Sequence, residues 1–137
     1  MREIVLVSNL PEFHIRAMNS YRTLSAWKQA HAALIATYRA TDAAYHPRKI
    51  SLFDQIRRAV VSVEANIVEG YALNTVPLFR KHLRIAFGSA AEAETLLRVA
   101  AELGYMDTPN ADEIEKALGQ ALRSVRGLMR SPPVTVK

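Results

Sequence analysis

The sequence contains no cysteine among its 137 residues. This absence excludes disulfide bonds, thiolate nucleophiles and cysteine-ligated zinc sites, and it is typical of proteins of the reducing cytoplasm. Long apolar runs are absent as well, since none approaches the roughly 20 residues that span a bilayer. The apolar stretch at residues 4–7 is too short for the hydrophobic region of a signal peptide. We therefore expect a cytoplasmic protein that does not enter a membrane.

Residue patterns that carry catalysis or metal binding are also missing. The sequence has no glycine-rich phosphate-binding loop and no Glu-x-x-His pair, the pattern by which helical bundles hold two metal ions. Its four histidines are scattered singly, at positions 14, 31, 46 and 82. His31 falls beside Trp27 on an apolar helix face, where we expect a hydrogen-bonded packing role. The sequence thus predicts no enzyme activity, no metal site and no cofactor.

Apolar residues recur at steps of three and four in four segments, the spacing that buries one face of a helix. The predicted helices cover residues 24–44, 52–71, 76–103 and 112–129. Connections of a few residues force consecutive helices to run antiparallel. The pattern therefore predicts an all-α fold, an antiparallel up-down-up-down four-helix bundle. We assign residues 21–131 to the bundle, residues 1–20 to a loosely held N-terminal arm and residues 132–137 to a C-terminal tail.

Capping residues and apolar faces refine this prediction. Ser51, Thr75 and Asn110 are expected to cap the second, third and fourth helices, and Gly104 is expected to end the third. Phe87 is assigned to the buried face of the third helix. On the first helix, the predicted buried face consists of larger side chains: Leu24, Trp27, His31, Leu34, Ile35 and Tyr38.

The second predicted helix has apolar residues on two sides. Val61, Ala65 and Val68 lie roughly opposite its main buried stripe, because successive helical residues are rotated by about 100°. One bundle core cannot cover both sides, and an exposed apolar patch usually marks an interface. The sequence therefore predicts a homo-oligomer that uses these three residues at its interface.

The net charge of +5 is distributed unevenly along the chain. Residues 70–91 carry +3, residues 92–115 carry −6 and residues 116–137 carry +5. In an antiparallel pair, the start of the third helix lies beside the end of the fourth. Basic residues should therefore gather in one region, which we call the basic end: Arg80, Lys81, Arg84, Arg123, Arg126 and Arg130. This region either binds an anionic partner or serves solubility alone.

Three stretches of the chain resemble one known protein family. They are YRTLSAWKQAH at residues 21–31, DQIRRAVVSVEANIVEGYA at residues 54–72 and FRKHLRIAFGSAAEAETLLRVAAELGYM at residues 79–106. Together they resemble the bacterial 23S rRNA intervening-sequence proteins, also called the four-helix bundle protein family. The resemblance covers residues 21–130, and its motifs occur in the family's order.

The chain keeps polar positions of the family pattern in the second and third helices: Arg57, Arg58, Ser62, Asn66, Glu69, Gly70, Ser89 and Glu92. One reading makes Glu69 or Glu92 a general acid or base. The favoured reading makes these residues a polar seam that fixes the register between helices. Glu64 departs from the pattern, which commonly has proline there, so we expect a straighter second helix.

The resemblance implies a four-helix bundle that assembles into a pentameric ring. It also implies kinship with accessory proteins of diversity-generating retroelements, which bind nucleic acid and a reverse transcriptase. It implies no biochemical activity, and the RNA in the family name describes where the genes lie, not a ligand. Two functions stay open. In the first, an oligomer binds RNA or another nucleic acid through the basic end. In the second, a protein–protein interaction scaffold binds an acidic partner and no nucleic acid.

Overall fold

The computed structural model describes residues 20–133. In this range the chain forms four long helices and no strand: α1 (Ser25–Ala43), α2 (Ile50–Leu73), α3 (Val76–Glu102) and α4 (Thr108–Arg130). Two short 3-10 turns, Tyr21–Thr23 and Pro47–Lys49, precede α1 and α2. The all-α prediction is confirmed for this part of the chain. The predicted arm and tail lie outside the described residues, apart from Ser20, Pro132 and Pro133.

The boundaries of α3 agree with the predicted capping residues. The Thr75 side chain accepts a hydrogen bond from the Leu78 backbone N–H at the start of the helix, with an N–O distance of 3.4 Å. Gly104 follows the end of α3 with a φ of +70°, a conformation that glycine adopts at helix ends without strain. Asn74, which ends α2, has a φ of 55° and turns the chain towards α3.

Two other capping predictions are wrong. α2 begins at Ile50, so Ser51 lies inside the helix, and no side chain caps this helix. α4 begins at Thr108, four residues earlier than predicted, because Asp107 is its cap. The Asp107 carboxylate accepts a hydrogen bond from the Asn110 backbone N–H at 2.9 Å, which places Asn110 in the first turn.

All four helices contribute to one hydrophobic core, and each packs against two others. The prediction for α1 is wrong, because its fully buried face is made of small residues: Ala26, Ala30, Ala33, Thr37, Ala40 and Thr41. Side chains this small let helix axes approach closely. Thr37 and Thr41 donate their hydroxyls to the carbonyls of Ala33 and Thr37, so their polar atoms are satisfied inside the core.

The larger side chains of α1 lie beside the core instead of inside it. Trp27 and Leu34 are partly buried against its edge, and Tyr38 is 41% exposed. Their positions leave a partly apolar surface where α1 meets α2. Compared with the prediction, α1 is rotated about its axis so that its alanine-rich face lies in the core.

Gly70 brings α2 and α3 into close contact. A Cβ atom at this position would lie 2.9 Å from Cβ of His82 and 3.3 Å from the carbonyl oxygen of Phe79. Both distances are too short for an unstrained contact, so α3 can approach α2 this closely only because residue 70 has no side chain. α2 runs as one helix through Glu64, as expected from the absence of proline there.

Candidate functional site

Part of the basic end lies where α3 begins and α4 ends. Arg80 donates its Nε–H to the carbonyl oxygen of Met129 at 3.3 Å, and Met129 precedes Arg130 in the chain. Lys81 follows Arg80 on α3, and all three basic side chains are exposed. The structure therefore brings two sequence-distant arginines of the basic end to the same place.

Arg84 and Arg126 flank an apolar groove between α3 and α4, which we call the arginine groove. Phe87 and Met129 form its apolar wall, and the groove encloses about 370 Å³. The Arg126 guanidinium lies 5.3 Å from the centroid of the Phe87 ring, within the range of a cation–π contact. Phe87 is partly buried and packs against the edge of the core, while Leu83, Ala86 and Ala90 occupy the fully buried face beside it.

Arg123 lies in different surroundings from Arg84 and Arg126. It lines a second groove that also contains acidic side chains of α3 and α4: Glu94, Asp112 and Glu115. The predicted basic end is thus divided among three local settings. Two of them carry only basic charge, and the third mixes both signs.

Family-motif side chains form a chain of hydrogen bonds between α2 and α3. The Ser62 and Ser89 hydroxyls are 2.7 Å apart, and the Asn66 amide donates to the Ser62 hydroxyl at 3.1 Å. The side-chain oxygen Oδ1 of Asn66 contacts Nδ1 of His82 at 2.9 Å, and the carboxylate oxygen Oε2 of Glu69 lies 3.6 Å from the same nitrogen. His82 was not predicted to belong to this group. The Asn66–Ser62 bond lies within α2, whereas the Ser62–Ser89 and Asn66–His82 contacts join α2 to α3 and can fix the register between them.

The other motif residues also contact neighbouring side chains. Glu92 accepts a hydrogen bond from the Gln55 side-chain amide at 2.6 Å, and Arg58 donates to the side-chain oxygen Oε1 of Gln55 at 2.8 Å. Arg57 extends towards α1, where it contacts Thr41 and Asp42. The Glu92–Gln55 contact and the Arg57 contacts join two helices, as the Ser62–Ser89 contact does, whereas the Arg58–Gln55 contact lies within α2.

Glu64 was not predicted as a site residue, yet it joins α1 to α2. Its Oε1 accepts a hydrogen bond from the indole Nε1–H of Trp27 at 3.0 Å and contacts Nδ1 of His31 at 3.0 Å. Its Oε2 is buried and has no hydrogen-bond partner among residues 20–133. The departure from the family pattern at position 64 is the sequence signal that could have indicated this residue.

The predicted oligomer interface lies in a shallow groove beside Glu64. Val61, Ala65 and Val68 line it with Leu34, and Glu64 and Glu69 are the charged residues of the same groove. We call it the acidic groove. Val61 is 39% exposed and Glu69 has a 62% exposed side chain, so both are open to solvent in the monomer.

Residues 20–133 contain neither a cluster of metal-ligating side chains nor a helix suited to a membrane. No group of three or more His, Asp or Glu side chains in this range is arranged to hold a metal ion. None of the four helices combines the length and the apolar character that crossing a membrane requires.

Comparison with known proteins gives one family match. The model of a family described as 23S rRNA-intervening sequence protein matches residues 22–127. The matched region contains α1, α2 and α3 completely and most of α4. No curated protein matches the chain.

Proposed function

Because the chain belongs to the 23S rRNA-intervening sequence protein family, we propose that it is a non-enzymatic, oligomeric four-helix bundle protein that binds RNA or another nucleic acid through its basic end. The observation that carries this proposal is the convergence of Arg80 and Arg130. Lys81 adds a third exposed charge beside them. A cytoplasmic location stays a prediction from the sequence.

We infer an antiparallel up-down-up-down topology for the four helices. Contacts between α1 and α2 support it, because Trp27 near the start of α1 contacts Glu64 far along α2. Asp42 at the end of α1 contacts Arg57 near the start of α2. Residue numbers therefore rise along one helix as they fall along the other. Three further pairs agree: Ser62 with Ser89, Arg80 with Met129, and Gln29 with Ser124.

Self-association is the second part of the proposal. Val61, Ala65 and Val68 line an open groove in the monomer, and exposed apolar patches usually mark interaction surfaces. The family resemblance favours a pentameric ring. A ring repeats the basic end once per subunit, so that a modest local charge becomes an extended positive surface.

Nucleic-acid binding of this kind depends on phosphate contacts and therefore on salt. For a single strand, log K declines with log salt concentration by about 0.7 for each phosphate neutralised. The test is a titration of labelled single-stranded RNA at several salt concentrations. We expect the triple variant Arg80→Gln, Lys81→Gln and Arg130→Gln to bind more weakly than the wild type and to show a shallower salt slope.

A matched control removes the same charge elsewhere. Arg58, Arg98 and Lys116 are exposed side chains outside the basic end, and changing all three to Gln lowers the net charge by the same amount. This control should bind RNA like the wild type. Equal loss in both triple variants would assign binding to net charge alone. Absence of wild-type binding at low salt would overturn nucleic-acid binding.

A protein–protein scaffold is the second candidate function. The arginine groove favours it, because an apolar wall with two flanking guanidinium groups also suits an acidic partner with apolar side chains. Competition separates the candidates: an acidic peptide and an unlabelled RNA are added in turn to the labelled complex. Binding of the peptide without binding of RNA would replace the first candidate by the scaffold.

A further inference from the structure

We propose that the acidic groove of one copy of this chain receives the arginine groove of a second copy. The inference rests on the proposed self-association and names the two surfaces that carry it. One groove combines Val61 and Val68 with two acidic residues, Glu64 and the more exposed Glu69. The other combines an apolar wall with two guanidinium groups. Both grooves therefore have apolar surface, and their charged residues are of opposite sign.

The strongest indication is the second carboxylate oxygen of Glu64. Oε1 accepts both hydrogen bonds from α1, whereas Oε2 is buried without a partner among the described residues. A buried polar atom without a hydrogen bond is costly, and an ionised one is more so. Oε2 has almost no accessible surface in the monomer, so a guanidinium from a second copy can donate a charge-assisted hydrogen bond to it only after the Glu64 side chain turns towards the groove.

Arg126 is suited to donate this hydrogen bond. Its side chain is exposed, and its guanidinium is held over the Phe87 ring, which limits the orientations that it can adopt. Docking would bring Phe87 and Met129 against Val61 and Val68, and would remove apolar surface of both copies from water. Arg84 lies beside the same groove, opposite the more exposed carboxylate of Glu69 in the docked pair.

The two grooves also lie at one height on opposite sides of the monomer. The acidic groove is on the α1–α2 side and the arginine groove is on the α3–α4 side. The Ser62–Ser89 and Asn66–His82 contacts bring residues 61–69 of α2 level with residues 82–89 of α3. Copies can therefore join side by side in register.

A contact between two different surfaces is heterologous, so each copy uses both of its grooves and assembly proceeds in one direction. The assembly closes into a ring if the rotation between copies permits. Arg84 and Arg126 are then part of the subunit interface. Arg80, Lys81 and Arg130 stay available for a polyanion, and these are the residues changed in the RNA titration.

Two blocked variants test this arrangement. Val61→Arg places a positive charge in the acidic groove, and Arg126→Glu places a negative charge in the arginine groove. Both changed residues are exposed, so the helical fold should persist, which circular dichroism can verify. Light scattering after size-exclusion chromatography should find an oligomeric wild type and two monomeric variants.

An equimolar mixture of the two variants tests directly whether the two grooves pair with each other. The intact arginine groove of the Val61→Arg variant can meet the intact acidic groove of the Arg126→Glu variant. The two substituted side chains also carry opposite charges, so the two altered grooves can pair as well. The mixture should therefore associate, whereas each variant alone stays monomeric. Glu64→Gln, which removes the charge but keeps the side-chain shape, should raise the concentration at which the oligomer dissociates by about tenfold or more.

The possible failures are distinguishable. A wild type that is monomeric at micromolar concentration overturns the proposed self-association itself. An oligomeric wild type with unchanged oligomers in both variants overturns only the docking of these two grooves. Dissociation by Val61→Arg alone would indicate a symmetric contact between two acidic grooves. A monomeric wild type that binds an arginine-containing amphipathic peptide would assign the acidic groove to another protein.

Discussion

Trp27 donates its indole N–H to the Glu64 carboxylate at 3.0 Å, across the boundary between α1 and α2. The indole also stacks on the imidazole of His31, with ring centroids 4.9 Å apart and an interplanar angle of 20°. Three side chains are thus held together outside the alanine-rich face of α1. Because the core residues of α1 are small and offer little contact surface, this polar contact helps to hold α1 against α2.

The first prediction concerns this contact. Trp27→Phe should lower the free energy of unfolding by about 1–2 kcal/mol beyond the loss of side-chain area, because one hydrogen bond to Glu64 is lost. A double-mutant cycle with Glu64→Leu isolates that contribution, measured by urea unfolding. If Trp27→Phe costs the same in both backgrounds, the hydrogen bond contributes nothing to stability.

The second prediction concerns Gly70. Ala is the better helix former, yet Gly70→Ala should destabilise the protein by about 1–3 kcal/mol, because the new Cβ would overlap His82 and Phe79. Gly119 is the matched control, since it lies on the exposed side of α4 with no atom within 4 Å of an added Cβ. Gly119→Ala should raise stability by up to about 1 kcal/mol. Thermal and urea unfolding of both variants check the opposite signs.

The third prediction separates the contacts of Arg57 with Thr41 and Tyr38 from its ion pair with Asp42. Its Nε–H donates to Thr41 at 2.8 Å, and its guanidinium lies 4.6 Å from the Tyr38 ring centroid. Arg57→Lys should therefore cost about 1–2 kcal/mol, because an ammonium cannot reproduce this planar arrangement. Asp42→Asn should cost less than about 1 kcal/mol, because the Asp42 side chain is 73% exposed and its ion pair is screened by water. The reverse order in urea unfolding would contradict this assignment.

The fourth prediction checks the start of α4. Asp107→Ala should cost about 1 kcal/mol, since it removes the side-chain acceptor for the Asn110 backbone N–H. Asn110→Ala should be neutral or slightly stabilising, because Asn110 lies inside the first turn and Ala has the higher helix propensity. A larger loss of stability from Asn110→Ala than from Asp107→Ala would support Asn110 as the cap, as predicted from the sequence.

The four helices could be predicted from the sequence, because helix-terminating residues and the three- and four-residue spacing of apolar residues are local features. Thr75 and Gly104 have the chemistry that a helix start and a helix end require, and both are found in those roles. The buried face of α1 could not be predicted in the same way. Alanine is only weakly hydrophobic, so the larger side chains of Trp27 and Leu34 determined which face was predicted to be buried. The close approach of the helices, a tertiary property, decides which face is central.

For the candidate surfaces, too, one part could be predicted from the sequence and another part could not. The excess of basic residues near the start of α3 and the end of α4 is visible in the sequence, and Arg80 and Arg130 do converge. The division of the arginines among different grooves is not visible, because it depends on the rotation of each helix by a few tens of degrees. Phe87 shows this effect: one step around α3 separates its partly buried position from the core position of Ala86.

The short connection between α2 and α3 has a consequence for the order of folding. These two helices share the most extensive helix–helix contact, and only Asn74 and Thr75 join them. Closing so short a loop costs little chain entropy. The contact between α1 and α4, by contrast, joins residues as distant as Gln29 and Ser124. We expect the α2–α3 hairpin to form first, so defects within it should slow folding, whereas defects between α1 and α4 should chiefly accelerate unfolding.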